Sequence, residues 1–138
     1  AIIAVFAAPN FLSWRSNMSL RGAVNNIKGD LQNAKSSAAR ESARVVLEFV
    51  NNRMRIFVDD GAGPTGVKNN SIRDGSERII RERELPVSVT VISSTFVKTH
   101  FNPRGTSGAA GTFILEHANG ARMNVIVSPM GRIRIENG

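Results

Sequence analysis

Residues 1–22 read AIIAVFAAPNFLSWRSNMSLRG, and between Ala1 and Leu12 only Pro9 and Asn10 interrupt the apolar side chains. A bilayer-spanning helix needs about 20 consecutive apolar residues, so this run is too short to cross alone. It is either a buried core helix or the second half of a longer hydrophobic segment. From Leu20 the apolar positions are Leu20, Val24, Ile27, Leu31, Ala34 and Ala38, alternately four and three residues apart. That is helical periodicity and not strand alternation. Lys28, Asp30, Gln32 and Lys35 fall off the stripe, which narrows to alanine toward its end so that something bulky can pack close. No stop signal lies between Asn10 and about Arg40, which at about 1.5 Å per residue makes a rod of roughly 46 Å. Residues 1–9 lengthen it, with a bend expected at Pro9. Gly22 and Gly29 lie inside it, each costing about 1 kcal/mol relative to alanine. Such a rod outruns a small core, so its first part is expected to be buried in lipid or against other helices.

After Ser42 the period changes. ARVVLEFV and RMRIFVDD are rich in β-branched and aromatic residues, and the Asn51–Asn52 pair between them predicts a tight hairpin turn. In the second segment Arg53 and Arg55 alternate with Met54 and Ile56, as on a half-buried strand. GAGPTGVKNNSIRDGSE reads as a long loop. Further strands are expected at ERIIRERE, VSVTVISS, TFVKTHF, GTFILEH, RMNVIVS and RIRIE, several of them separated by turns containing glycine or proline. The fold class is therefore α+β: a long N-terminal helix, residues 1–42, packed on an antiparallel sheet or sandwich, residues 43–138. No internal repeat and no second globular domain is read.

The 138 residues are 41% hydrophobic and 21% charged, enough for one modest core. With no cysteine there is no disulfide framework and no thiolate metal site. The net charge of +7 is uneven, because the basic excess falls in residues 1–44 and 98–138 while the middle is neutral. Such an excess suits a polyanion or anionic lipid partner, and equally a plain basic surface.

Catalysis is not expected. The histidines are His100 and His117, both near predicted strand ends where surface and turn-supporting roles dominate. Neither a G-x-S-x-G elbow nor an H-E-x-x-H motif occurs. Asp59, Asp60, Asn69, Asn70, Asp74 and Glu77 offer oxygen ligands of the kind calcium takes. The EF-hand spacing is missing, Lys68 and Arg73 intrude, and Asp and Asn favour turns for local reasons. No metal or cofactor is therefore assigned, and the loop is read as a turn or partner contact. In GRIRIENG, alternation puts Ile133 and Ile135 on one face and Arg132 and Arg134 on the other, the arginines about 6.6–6.8 Å apart. That pair, extended by Lys98, Arg104 and Arg122, is the candidate nucleic-acid surface, sequence-independent and salt-sensitive. The alternative is a solvated strand face, or pairing with Glu116 and Glu136.

The long helix, the run AIIAVFAAPNF, RIFVDDG, DGSERIIRERELP, FNPRG and GTFILEHANGARMNVIVSPMGRIRI occur in an order that resembles the GspH/FimT-type minor pseudopilins of the type IV pilin class. The leader and the Gly-Phe-Thr-Leu-Ile-Glu-like start of that class are absent, so the chain looks trimmed. The resemblance implies a structural subunit of a type II secretion pseudopilus or type IV pilus, at or near its tip. It implies a single pass through the bacterial inner membrane before assembly, then a periplasmic or extracellular filament. Other pilin subunits are the implied partners, with DNA or secreted cargo as further ones. The membrane or filament-core part is about 1–17. Ile2, Ile3, Val5, Phe6, Pro9, Phe11, Leu12, Leu20, Val24, Ile27 and Leu31 are the expected assembly residues. The resemblance also implies an alternative, a DNA-binding subunit for natural transformation acting through the basic C-terminal region.

Overall fold

A computed structural model describes residues 2–92 and 97–138, residues 2–16 by backbone path alone. The helix α1 runs Ile2–Glu41, about 60 Å at 1.5 Å per residue, and its helical path continues through Pro9. It stops where Ser42 takes a left-handed φ of 52° and the Ala43 amide reaches back to the Ala38 carbonyl at 3.3 Å. This is the six-to-one bond of a Schellman cap, with serine where glycine is usual. Eight strands follow: β1 Arg44–Val50, β2 Arg53–Asp59, β3 Ile79–Glu84, β4 Val89–Val91, β5 Lys98–Phe101, β6 Gly111–His117, β7 Arg122–Val127 and β8 Ile133–Asn137.

The strands make two antiparallel four-stranded sheets, ordered β3-β2-β1-β5 and β4-β6-β7-β8. Asn51 and Asn52 both have positive φ, 52° and 60°, which a two-residue hairpin between right-twisted strands requires. Asn52 Nδ2 then donates to the Val89 carbonyl at 3.0 Å, tying this hairpin to the second sheet. Leu20, Val24, Ile27, Leu31, Ala34 and Ala38 of α1 share one core with Val45, Leu47, Met54 and Ile56 of the first sheet and Phe113, Leu115, Val125 and Val127 of the second. Phe49 and Phe113 meet edge to face across it, centroids 5.1 Å apart. The division drawn at residues 42/43 thus separates two halves of a single core.

The alternation of Met54 and Ile56 with arginine stops at a bulge between Ile56 and Phe57, beyond which Phe57, Val58 and Asp59 are all buried. Phe57 and Val46 sit side by side on the face of the first sheet turned from the core, yet both are fully buried. Their cover is the 61–77 loop, which folds back over that face. Arg44 Nη1 donates to the Asn69 carbonyl at 2.9 Å and Lys98 Nζ to the Ser71 carbonyl at 2.7 Å. The expected long loop is therefore a packed layer.

Candidate functional site

The expected assembly helix divides at Leu20. Ile2, Ile3, Val5, Phe6, Pro9, Phe11 and Leu12 lie outside the residues whose side chains are described. Leu20, Val24, Ile27 and Leu31 are at most 2% exposed and face the chain's own sheets. That corrects their expected role: apolar groups already removed from water by β1, β6 and β7 have nothing left to offer a neighbouring subunit. Two flanks of α1 remain. On one, Asp30 is 3% exposed and accepts from Arg83 Nε at 3.0 Å and Arg81 Nη1 at 3.3 Å, which fastens the helix to β3. On the other, Lys35 Nζ donates to the Gly131 carbonyl at 3.2 Å, just before β8.

The oxygen-rich loop uses its carboxylates on its own backbone. Glu77, fully buried, accepts from the Gly61 amide at 2.9 Å and the Asp74 amide at 3.2 Å. Asp74 takes the Val67 amide and Asn70 Nδ2, Asp60 the Ala62 amide, and Asp59 the Ser71 amide at 2.7 Å. Among the described residues no three His, Asp or Glu side chains converge as a metal site would require. The chemistry here is loop closure, with short polar side chains replacing backbone partners.

The histidines divide by role. His117 Nδ1 accepts the Asn119 amide at 3.1 Å, supporting the β6–β7 turn as expected. His100 is partly buried, with Nδ1 3.5 Å from Ser71 Oγ and the ring against Gly108, whose missing Cβ leaves it room. Burial pushes the His100 imidazole below its ordinary value, Arg44 adds to the effect and Asp59 opposes it. Ser71, His100 and Asp59 do not form a nucleophilic triad. The carboxylate holds the serine amide, and among the described residues no carboxylate bonds the imidazole to orient it as a base. Beside the Asn51–Asn52 turn lies an open cleft of about 620 Å³ lined by Val50, Arg53, Arg55, Glu82, Glu84 and Leu85. Its charges are paired: Arg53 with Glu82 and Glu84 of the lining, and Arg55 with Glu48 outside it.

The five expected DNA contacts are not brought together. Lys98 is on the first sheet, bound to Glu48 at 3.4 Å and to the Ser71 carbonyl. Arg122 pairs with Glu116 at 2.6 Å and Arg134 with Glu136 at 3.5 Å, the alternative foreseen for this face. Alternation in GRIRIENG holds, with Arg132 and Arg134 exposed and Ile133 and Ile135 packed against the core. Arg104 and Arg132 are neighbours through their loops, where the Ser107 amide meets the Pro129 carbonyl at 3.1 Å and Gly131 abuts Gly105. Lys35 joins this corner. Its place there was not readable from strand alternation, because it depends on where the helix lies.

Residues 23–131 match the family model described as Type II transport protein GspH, which takes in α1 from Ala23 onward and every strand but the last. The chain belongs to the GspH family. Among solved structures, the type IV minor pilin FimU of Pseudomonas aeruginosa superposes with a TM-score of 0.66 at 18% identity, covering 89% of this chain and 92% of FimU. The minor pseudopilin EpsH from the type 2 secretion system of Vibrio cholerae superposes at 0.63 and 9% identity, covering 86% and 97%. No curated protein sequence matches significantly. At these identities the superpositions establish the fold, a pilin-type helix on antiparallel sheets. As a GspH-family protein the chain is a pilin- or pseudopilin-type minor subunit, a structural role in a pilus-associated assembly with other such subunits.

Proposed function

We propose that this GspH-family chain works at or near the tip of a type II secretion pseudopilus or type IV pilus, held there by the leading part of α1. The observation that carries this reading is the length of α1. Its path begins at Ile2, and the first of its described side chains in the core is Leu20, about 27 Å further along. The sequence of that part is the apolar run AIIAVFAAPNFL. No described helix is long and apolar enough to cross a membrane. On this reading the run lies in the membrane before assembly and packs among neighbouring helices afterwards.

Phe6→Asp with Phe11→Asp tests this in a cell that produces the other pilin-type subunits. Co-purification with them is expected to fall below detection while the melting temperature of the head stays unchanged. Undiminished co-purification removes the reading. DNA binding is not carried as a second reading, because the geometry leaves only Arg104 and Arg132 of its five residues adjacent and without carboxylate partners among the described residues.

A further inference from the structure

Residues 21–36 read RGAVNNIKGDLQNAKS, in which a basic residue followed by a small one recurs every seven positions: Arg21-Gly22, Lys28-Gly29, Lys35-Ser36. Seven residues fall only about 20° short of two helical turns, so the three cations form one row down α1. The row is about 21 Å long. It borders the buried stripe on the flank away from Asp30. Arg21 is exposed, Lys28 and Lys35 half-buried.

Nothing among the described residues accounts for this row. Arg21 and Lys28 have no hydrogen bond or ion pair among the described residues, and Lys35 meets a carbonyl, not a carboxylate. All eleven Asp and Glu are engaged elsewhere, on arginines, on Lys98 or on loop amides. A second copy of this chain therefore has no free acidic row to answer with. The two glycines are equally unexplained from within. A Cβ built at Gly22 or Gly29 meets nothing within 4 Å, and both sit in regular helix where alanine is favoured.

We infer that the Arg21–Lys28–Lys35 row docks lengthwise against an α-helix of a different neighbouring subunit, one carrying carboxylates at the same seven-residue interval. This rests on the subunit reading above. Charge complementarity selects the partner's sign, and the interval selects its form. Cations about 10.5 Å apart match acidic residues on a helix lying alongside. They are far sparser than duplex phosphates, at one charge per about 1.7 Å. No large aromatic side chain is exposed among the described residues to stack on a base. Gly22 and Gly29, about 100° further round α1, leave the adjoining face open to the partner backbone.

The test places a photocrosslinking residue at Gln32, exposed beside the row, in the full chain produced with its companion subunits, and a second one at Phe6. From position 32 the expected adduct is to a helix of another pilin-type subunit, in a window with Asp or Glu seven residues apart. Arg21→Glu with Lys28→Glu is expected to lower its yield about tenfold, the scale of a few exposed ion pairs acting together. Changing the identified carboxylates to lysine is expected to restore it. An adduct to nucleic acid, lipid, a second copy or a β domain overturns the inference, as does a yield indifferent to charge reversal or a loss without rescue. An adduct from position 6 with none from 32 also removes the docking row and leaves the subunit reading standing. Adducts from neither position remove the subunit reading itself.

Discussion

Asp30 is the residue at which helix and sheet are joined by charge. Its carboxylate is 4% exposed, while the arginines that hold it, Arg83 and Arg81, are 34% and 47% exposed. Those guanidiniums recover water when the acid is removed, so the loss is well below that of a fully buried pair. Asp30→Ala is expected to lower stability by about 1–2 kcal/mol in urea unfolding. An unchanged midpoint would mean that the pair is ornamental. His100 gives a pH dependence with a definite sign. Its folded value lies below the ordinary 6.5 because burial disfavours the imidazolium. Between the two values the unfolded chain binds more protons, so stability rises with pH there. The contribution is complete above about pH 6.5 and is lost as pH falls toward the folded value. Replacing His100 by Gln should flatten that part of a stability–pH profile and leave the carboxylate-driven acid limb in place.

At the scale of elements, α1 carries two stripes with different purposes, and substitutions separate them. Ile27→Ala removes a fully buried side chain between the two sheets and is expected to cost about 2–4 kcal/mol. Gly22→Ala and Gly29→Ala fill open space on a regular helix and are each expected to stabilise the isolated chain by about 0.5–1 kcal/mol. Chemical denaturation reads both, and a destabilised Gly→Ala variant would show that the helix face is not open. The strands were legible because β-branched residues, glycine turns and the Asn51–Asn52 pair act locally. Of VSVTVISS, Val89–Val91 pair as a strand, while Ser93 and Ser94 lie outside the described residues. The loop's role as a cover was not legible. Its contacts join Ser71 to Lys98 and Asn69 to Arg44, residues brought together only when β1 and β5 pair.

For the whole molecule, the division of α1 at Leu20 governs how assembly and folding separate. Phe6→Asp is expected to disturb association alone, whereas Ile27→Asp would disturb both by putting a charge into the shared core. An effect of Leu20, Val24 or Ile27 substitutions on co-purification therefore reports unfolding of the head. Ionic strength separates the remaining contacts. Exposed charges more than a Debye length apart are screened, about 10 Å at 0.1 M and about 3 Å at 1 M salt. Crosslinking from position 32 should fade between those concentrations, while crosslinking from position 6 should not. Equal behaviour of the two would show that the basic row plays no part in association.

The amino-acid sequence by itself determined the helix, its buried stripe, the change to strands after Ser42 and the ordered motifs of the GspH family. Each depends on periodicity, turn chemistry or residue type along the chain. Tertiary structure alone decided where that stripe is buried and which charges remain unanswered. Lys98 and Arg122 were expected to extend the candidate nucleic-acid surface and are neutralised by Glu48 and Glu116. Arg21 and Lys28 were read only as part of the basic excess of residues 1–44, and their side chains have no partner among the described residues. The reason is that burial and ion pairing are properties of surfaces meeting in space, and strand order sets those surfaces without leaving a local mark.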